Sequence, residues 1–346
     1  MNLVAVLIVR DEAANLSGCL AALGGVVDGV HVHDTGSVDA TVALARSLGA
    51  TVSEGEWHDD FAAARNAAVG AAGRPDWVLS VDADERAVAA PERLRDLLRA
   101  APAGAFLVEI DNRHDELPYT HRTPRLFRPA AMHWEGRVHE RLTPTADPTA
   151  EAPSAKPSAA EPAAKPMPQW PVVPRDALHL VHLGYADPET RRRKAARNAG
   201  LAEATLSEIS DKSEIATALL DLGRSYVGAG RRQAAVDAFE RLRELAPRTR
   251  QWILGTDALA RLLLGAGHDE AVVVLARQLR DAGVDGEYCD WLEAQALAQL
   301  GHPDTAWRLL RGVRRVVDPA GRSYPQHHLA ELKRLLGELV TAGRGA

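Results

Sequence analysis

Short runs rich in aliphatic and β-branched residues alternate with stretches of helical periodicity over the first 142 residues. Residues 3–9, 29–33, 77–81 and 105–110 are predicted strands, and residues 14–23, 39–48 and 61–72 are predicted helices. Ser37 or Asp39 is the expected N-cap of the second helix. This alternation predicts an α/β fold with a mostly parallel sheet and helices on both faces. In such a sheet, ligands bind beyond the carboxyl ends of the strands.

Composition narrows the class of protein. The chain has 346 residues, of which 46% are apolar and 25% charged, so it can form two domains with well-buried cores. Cys19 and Cys289 are too far apart in sequence to suggest a disulfide framework or a zinc site, and a cytoplasmic location is predicted. The apolar run at residues 3–9 is too short for a membrane span or a signal peptide, so no membrane segment is expected.

The charge distribution argues against a nucleic-acid-binding surface. The formal net charge is −6, and residues 1–142 alone carry 14 Arg against 21 Asp or Glu, a balance of −7. A nucleic-acid interface would need a basic patch, which this acidic half does not offer.

The C-terminal part is helical and repetitive from about Lys212. Gly230, Gly267 and Gly301 are spaced by 37 and 34 residues, and each lies between two predicted helices. Aligning on these glycines brings small residues into two columns: Gly223, Ala260 and Ala294 in one, and Ala235, Val272 and Ala306 in the other. The first unit follows the 34-residue TPR spacing, so the sequence predicts an all-α region of TPR-like repeats.

A proline-rich segment separates these two parts. Residues 144–174 hold nine of the 20 prolines, with Ala, Glu, Lys, Ser and Thr making up most of the rest. Such a composition cannot bury enough apolar surface to offset the entropy of ordering, so the segment is predicted to be a disordered insertion. The predicted boundaries are therefore an α/β domain at 1–143, the insertion at 144–174, the end of the α/β domain with a connecting helix at 175–211, and repeats at 212–346.

Asp82 and Asp84 follow the buried run at residues 77–81 and leave the strand on the same side, where they could share a divalent cation. Alone, such a triplet is more often a solvated turn. Its company in the sequence is, upstream, Asp34-Thr35-Gly36-Ser37 with Asp39 and Thr41, then Trp57, Asp60-Phe61 and Ala64-Arg65-Asn66, and, downstream, Arg125-Leu126-Phe127-Arg128 and the segment from Trp134 to Glu140. In this order the motifs resemble the family 2 glycosyltransferases, in the bacterial branch that joins a GT-A domain to TPR-like repeats and includes peptide S-glycosyltransferases.

The resemblance implies an inverting, metal-dependent glycosyltransferase (class EC 2.4) that uses a nucleotide-diphosphate sugar, with UDP as the expected nucleotide and Mn²⁺ or Mg²⁺ as the cofactor. The implied acceptor is a peptide, a protein or a cell-surface glycan, and a TPR groove favours a polypeptide. The residues implied to bind the nucleotide sugar are Arg10, Glu12, Asp34, Gly36, Arg65, Asp82 and Trp134. The implied metal ligands are Asp84 and His139.

Two carboxylates are candidates for the general base. Inverting transfer needs a group that takes the acceptor's proton, and Glu140 is the first candidate, with Asp111 as its rival. The family usually has a Glu-Asp pair where this chain has His139-Glu140. Tryptophans such as Trp57, Trp77 and Trp134 are more often core residues or pocket walls than sugar platforms, and Trp134 is the best exception because it precedes the His139-Glu140 segment.

Four histidines at positions 31, 33, 179 and 182 alternate along strands, so packing or crevice polarity is the expected role, although His182 matches a polar position of the family's closing strand. A different class of function is a non-catalytic scaffold, in which the repeats recruit a partner and the sugar domain is vestigial.

Overall fold

The structure is a computed structural model that describes residues 1–102, 104–113, 118–138, 140–145, 170–184 and 187–343. It divides into two compact units. The first comprises Met1–Ile110, Arg122–Gly136 and Glu140–His182, and the second comprises Asp111–His121, Arg137–His139 and Leu183–Ala346. Most of the predicted insertion lies outside the described residues, so its predicted disorder and the predicted domain boundaries stay predictions.

The first unit is built on a mixed sheet whose strand order is β3-β2-β1-β4-β7-β6-β10-β5, with β8 and β9 as a separate pair. The strands are β1 (Leu3–Val9), β2 (Gly29–Asp34), β3 (Thr51–Glu54), β4 (Trp77–Ser80), β5 (Glu85–Ala89), β6 (Ala105–Asn112), β7 (Tyr119–Phe127), β8 (Met132–Glu135), β9 (Arg141–Pro144) and β10 (Leu178–His182). The helices between them are α1 (Ala13–Leu23), α2 (Thr41–Ser47), α3 (Phe61–Ala71) and α4 (Pro91–Ala100).

The central strand β1 is apolar throughout because both faces of the sheet are covered. Leu3 and Leu7 face a core formed with α1, α2 and α4, whereas Val4 and Val6 face a second core that includes residues of α3. The strand pairs in parallel with β2 and β4, and β2 pairs in parallel with β3. The pairs β4–β7, β5–β10 and β8–β9 are antiparallel. The predicted α/β class, with helices on both faces, is confirmed.

The parallel half of the sheet brings three loops to one edge. The carboxyl ends of β1, β2 and β4 continue into Arg10, Asp34 and Asp82, as the sequence predicted. One local prediction is corrected: the N-cap of α2 is Ala40, whose side chain cannot cap. Asp39, the residue before this N-cap, nevertheless accepts a 2.9 Å hydrogen bond from the backbone N–H of Thr41, the first residue of α2.

The histidines of β2 are packed, not arranged as a metal cluster. His31 and His33 point to the same face and are 3% and 7% exposed. The His31 ring hydrogen-bonds to the hydroxyls of Thr51 (2.8 Å) and Ser53 (2.9 Å), and His33 Nδ1 lies 2.8 Å from Ser53 Oγ. Burial lowers the pKa of both histidines.

The second unit is a stack of helices, confirming the predicted TPR-like region. It contains α5 (Pro188–Glu208), α6 (Lys212–Gly228), α7 (Arg232–Leu245), α8 (Arg250–Leu264), α9 (Asp269–Asp281), α10 (Gly286–Gln299), α11 (Pro303–Leu310) and α12 (Gln326–Gly343). Gly230, Gly267 and Gly301 end the turns between paired helices with φ of 75°, 76° and 80°, a left-handed conformation that favours glycine. Both predicted columns of small residues are buried.

A short segment from the sheet region also belongs to the second unit. Thr120 and Ser323 exchange backbone hydrogen bonds of 2.8 and 2.7 Å, and the Tyr119 ring lies 6.1 Å from that of Tyr324. Within the described residues, no helix is both long and apolar enough to cross a membrane.

Replacing Gly223 by Ala should destabilise the second unit. The added Cβ would lie 2.4 to 2.8 Å from three carbons of the Phe239 ring, far closer than van der Waals contact allows. Overpacking of this kind costs about 1–3 kcal/mol, which thermal unfolding of the full chain would detect. Gly200→Ala is the matched control, because its Cβ would meet nothing within 4 Å on α5 and should leave stability unchanged or raise it.

Buried His31 and His33 should make the first unit sensitive to acid. Their folded pKa values are lowered from 6.5, so the unfolded chain takes up protons first as the pH falls. The free energy of unfolding should therefore decrease below about pH 6.5, by up to about 1.4 kcal/mol per pH unit for each histidine. Urea unfolding at pH 7.5 and 5.5 would measure this; His31→Gln combined with His33→Gln should reduce the slope, whereas exposed His58→Gln should not.

Candidate functional site

The loops that follow β1 and β2 are locked together by hydrogen bonds. The backbone N–H of Asp11 donates to Ser37 Oγ (2.8 Å), and the backbone N–H of Val38 donates to Asp11 Oδ1 (2.8 Å). The backbone N–H of Glu12 donates to Thr41 Oγ1 over 2.8 Å. Asp11 adopts φ of 54°, a conformation uncommon for a non-glycine residue, and this cross-loop bond holds it there.

Asp34 lines a cavity of about 480 Å³ at the edge of the sheet where β1, β2 and β4 end. Its Oδ1 accepts from the backbone N–H groups of Gly36 (2.9 Å) and Ser37 (2.8 Å), and Gly36 adopts φ of 104° to make the turn. The cavity is lined by Asp34, Gly36, Ser37, Asp39, Val42, Arg46, Glu54, Gly55 and Glu56. Because acidic groups outnumber the single arginine, which pairs with Glu54 at 2.6 Å, the cavity suits a neutral hydrogen-bond donor better than an anion.

Asp82 is held between two buried arginines. Arg65 Nη2 lies 3.0 Å from Asp82 Oδ1, and Arg125 Nη2 lies 2.8 Å from Oδ2. The arginine side chains are 10% and 13% exposed, whereas that of Asp82 is 35% exposed. Burial alone would raise the pKa of Asp82, but the two guanidinium groups outweigh it and hold that pKa well below its usual range. Asp82 is therefore an ionised counter-ion for both arginines.

Glu85 and Arg86 fix the backbone of the loop that carries these acids. Glu85 Oε2 accepts from the backbone N–H of Asp82 (2.8 Å), and its Oε1 lies 3.0 Å from Arg125 Nη2. Arg86 donates to the carbonyls of Ala83 (3.0 Å) and Glu85 (2.9 Å). Its guanidinium fits against Gly18, where a Cβ would lie only 2.7 Å from Nη2. The loop geometry is thus determined by its own residues and by α1.

Asp84 differs from its neighbours because its partner is an imidazole. The residue is 4% exposed, and His182 Nε2 on β10 lies 3.0 Å from Asp84 Oδ2. Burial disfavours protonation of His182, but the hydrogen bond and charge of Asp84 outweigh it and raise the His182 pKa. A buried carboxylate beside an imidazole is a suitable pair of donors for a Mn²⁺ or Mg²⁺ ion whose other ligands come from water or a diphosphate. Across the described residues, no group of three or more His, Cys, Asp or Glu forms a complete metal cluster.

Glu140 is brought to the same place by Arg65. Arg65 Nε donates to Glu140 Oε1 over 2.5 Å, and Glu140 is only 13% exposed. The predicted acidic loop, the predicted arginine and the first candidate for the base are therefore connected through one guanidinium group.

The other predicted site residues are placed differently. Arg10 is exposed at the end of β1. Trp134 is 6% exposed and packs edge-on against Phe127 at 5.8 Å, so the structure puts its ring in the core, where burying a large apolar surface is favourable. Asp111 is 8% exposed at the end of β6, in the segment that belongs to the second unit. His139, the second predicted metal ligand, lies outside the described residues, so its role stays a prediction.

Sequence reasoning missed Arg86, and it gave Arg125 and His182 only positions in motifs of the family, without a role in the site. Arg125 lies on β7, whose pairing with β4 carries it to Asp82, and no spacing rule relates residues 43 positions apart. Arg65 left a clearer signal: it lies three residues from both Ala62 and Ala68, on the buried face of α3. An arginine on an apolar helix face must find a buried partner.

Residues 5–149 match the model of the family described as Glycosyl transferase family 2, so the N-terminal part of the chain carries a glycosyl transferase family 2 domain. A TPR repeat-containing protein of Synechococcus elongatus is 45% identical over 124 residues, which are 35% of this chain and 30% of that relative. The chain thus spans less than a third of this relative's length.

Solved structures that resemble parts of the chain fall into two groups. Glucosyl-3-phosphoglycerate synthase from Mycobacterium tuberculosis, solved with Mn²⁺, UDP and glucosyl-3-phosphoglycerate, is 23% identical, covering 32% of this chain and 44% of that one at a TM-score of 0.27. Mannosyl-3-phosphoglycerate synthase from Rubrobacter xylanophilus is 26% identical, covering 34% and 41% at 0.27. MamA from Desulfovibrio magneticus is 13% identical, covering 37% and 73% at 0.29. TM-scores this low carry no argument about function.

Asp84 and His182 should both be needed for binding of Mn²⁺. Asp84→Asn or His182→Ala should weaken Mn²⁺ binding at least about tenfold, measured by calorimetry at pH 7.5. Because His182 must lose its proton to bind a metal and its pKa is raised, the wild-type affinity should also fall as the pH is lowered. His179→Ala, on the same strand but bonded to the Arg175 carbonyl, is the matched control. Unchanged affinity in both site variants would contradict the assignment.

Proposed function

We propose that the glycosyl transferase family 2 domain of this chain is an active, inverting, metal-dependent glycosyltransferase. It takes its sugar from a nucleotide-diphosphate sugar, with UDP as the nucleotide, and transfers it to a peptide, protein or cell-surface glycan. The observation that carries the proposal is the Asp84–His182 pair, which lies where the loop after β4 meets β10, beside two buried arginines. The family match over residues 5–149 supplies the reaction class.

The donor is bound in two chemically different places. The acidic cavity at Asp34 and Gly36 receives the base and ribose, whose N–H and O–H groups donate to carboxylates. The diphosphate is an anion and is bound instead near Arg125 and the Asp84–His182 pair. Arg10 and Glu12, on the loop that is bonded to the Asp34 turn, border the nucleotide.

Asp84 and His182 are the described residues that would hold Mn²⁺ or Mg²⁺, and His139 is a further predicted ligand. When bound, such a cation stabilises the negative charge that develops on the leaving diphosphate. Asp82 does not compete for the cation, because both of its oxygens are already bound to arginines. Its contribution is to keep Arg65 and Arg125 charged and fixed in orientation.

Glu140 accepts the acceptor's proton in this proposal. A hydroxyl, thiol or amine of the acceptor forms a bond to the anomeric carbon as the bond from that carbon to the diphosphate oxygen breaks. The diphosphate leaves with the bonding electrons, and the acceptor's proton passes to the Glu140 carboxylate. Attack from the face opposite the leaving group inverts the anomeric centre. Asp111 is retained as the rival base.

The repeats in the second unit supply the acceptor-binding surface in this proposal. TPR-like helices form grooves that bind extended peptides, and the relative from Synechococcus elongatus is itself described as TPR repeat-containing. The Thr120–Ser323 pairing already uses some backbone groups of this unit, so an acceptor peptide must bind elsewhere along the helices.

The donor can be found without knowing the acceptor. Incubating the full chain with a panel of nucleotide-diphosphate sugars and Mn²⁺ should release free nucleotide from one donor class, and removal of metal by EDTA should stop it. Asp84→Ala should abolish release while leaving the thermal unfolding temperature unchanged. A scaffold with a vestigial sugar domain would hydrolyse no donor, and metal-independent release by Asp84→Ala would contradict the metal assignment.

The base can be assigned with two conservative variants. Glu140→Gln should keep donor affinity and reduce transfer by about a hundredfold to ten-thousandfold, because a positioned base is lost. Asp111→Asn should have little effect. If Asp111→Asn loses transfer and Glu140→Gln keeps it, the role of the base moves to Asp111.

A further inference from the structure

Arg65 is directed inward by the geometry of α3. Asp60 caps this helix by accepting from the backbone N–H of Ala63 (2.8 Å), which fixes the rotation of the first turn. Ala62 and Ala68 lie one turn before and after Arg65 and are buried against the sheet. Arg65 itself is 8% exposed, so its guanidinium extends along the sheet surface and not into solvent.

Every nitrogen of the Arg65 guanidinium has a partner. Nε donates to Glu140 Oε1 (2.5 Å), Nη1 to Ser80 Oγ (2.9 Å) and Nη2 to Asp82 Oδ1 (3.0 Å). A planar group bound in three directions cannot rotate without breaking at least two bonds. The opposite charges of Glu140 and Asp82 raise the Arg65 pKa against the effect of burial, so the group stays charged.

Asn66, the next residue on α3, holds the strand that leads to Glu140. Its Nδ2 donates to the Trp134 carbonyl (2.8 Å), and its Oδ1 accepts from the Trp134 backbone N–H (2.9 Å). The side-chain amide therefore pairs with the strand backbone in both directions. The Arg65 guanidinium also lies 5.3 Å from the centre of the Trp134 ring. Glu140 and Trp134 are consequently each bound by one of two adjacent residues of α3.

The geometry points to Arg65 and Asn66 as positioning residues for the general base. This inference rests on the proposed function, in which Glu140 takes the acceptor's proton. Arg65 binds one carboxylate oxygen of Glu140, and the described residues form no hydrogen bond to the other, which is left to accept the proton. Asn66 fixes β8, which pairs with β9, the strand that begins directly after Glu140. A base must lie within about 3 Å of the proton it removes, so its rate depends on such fixed positioning.

The competing role for Arg65 is direct binding of the donor's diphosphate. The two roles predict different kinetics, because a positioning residue acts only through Glu140 whereas a diphosphate ligand acts on the donor whether or not Glu140 is present. Loss of positioning should lower kcat at unchanged donor affinity. Loss of a diphosphate contact should raise the donor Kd and the donor KM.

A double-mutant cycle separates these roles. Arg65→Met and Glu140→Gln are made singly and together in the full chain, and transfer to a peptide acceptor is followed by nucleotide release above the hydrolysis background. Arg65→Met should lower kcat by about a hundredfold, as expected when a reacting group is displaced by about 1 Å. It should leave the Kd for the intact donor, measured by calorimetry, unchanged, and it should add no further loss of rate to Glu140→Gln. Exposed Arg93→Met is the control for loss of a charge.

Asn66→Ala gives a second and independent readout. It leaves the Arg65–Asp82–Arg125 ion pairs intact, and it should lower kcat in the same Glu140-dependent way. If Arg65→Met does not fold, Arg65→Lys in the same double-mutant cycle decides the question for Arg65, and Asn66→Ala decides it for Asn66. Arg65→Lys keeps the charge but cannot reach three partners, so it should recover only part of the lost kcat.

Three outcomes would overturn the inference. An increase in donor Kd for Arg65→Met that persists in the Glu140→Gln background would make Arg65 a diphosphate ligand. Full transfer by Glu140→Gln would remove the base that Arg65 and Asn66 are said to position, while leaving the glycosyltransferase proposal intact. If the wild-type chain binds and turns over no nucleotide sugar, the proposed function fails first, and the positioning role fails with it.

Discussion

The candidate site depends on the carboxylate of Asp82, which two buried arginines share. Each guanidinium needs a counter-charge to stay buried, and Asp82 is the carboxylate that both of them bind. Because Arg65 also binds Glu140 and Arg125 also binds Glu85, the single carboxylate fixes α3, β7 and the loop after β4 relative to one another. Asp82 is thus a structural residue of the candidate site.

The three carboxylates of the acidic motif, Asp82, Asp84 and Glu85, have different partners. Asp82 and Glu85 are bound to arginine, which leaves Asp84 as the member whose described partner, His182, carries an imidazole, a group of the kind that can bind a metal. Arg86 donates to the backbone between these acids and packs against Gly18. The backbone of the motif is therefore held by Arg86, and its carboxylates are held by ion pairs. A lone acid-x-acid triplet does not show which of its carboxylates could bind a cation. Here Asp84 is the candidate, because Asp82 is already bound to two arginines.

The second unit is stabilised by a different kind of constraint. Its helices approach closely at Gly223, Ala260 and Ala294, because larger side chains there would displace neighbours such as Phe239. The turn glycines at 230, 267 and 301 adopt left-handed φ, which lets each helix pair reverse direction in a tight turn. Packing of small residues and turn chemistry are both local, so repeats of this kind can be recognised from spacing alone.

The sequence by itself determined the features that depend on near neighbours. These are strands β1, β2 and β4 of the parallel half, the helices between them, the turn glycines of the repeats and the convergence of Asp34 and Asp82 at one sheet edge, because periodicity and strand order decide all of them. Strand β3 was not predicted. Only the tertiary structure decided which side chains meet across the sheet. It paired Arg125 and Arg65 with Asp82, placed His182 against Asp84, and put Trp134 in the core. Those contacts join residues 17 to 98 positions apart in the sequence, and such pairings depend on strand register and burial, to which no local pattern corresponds.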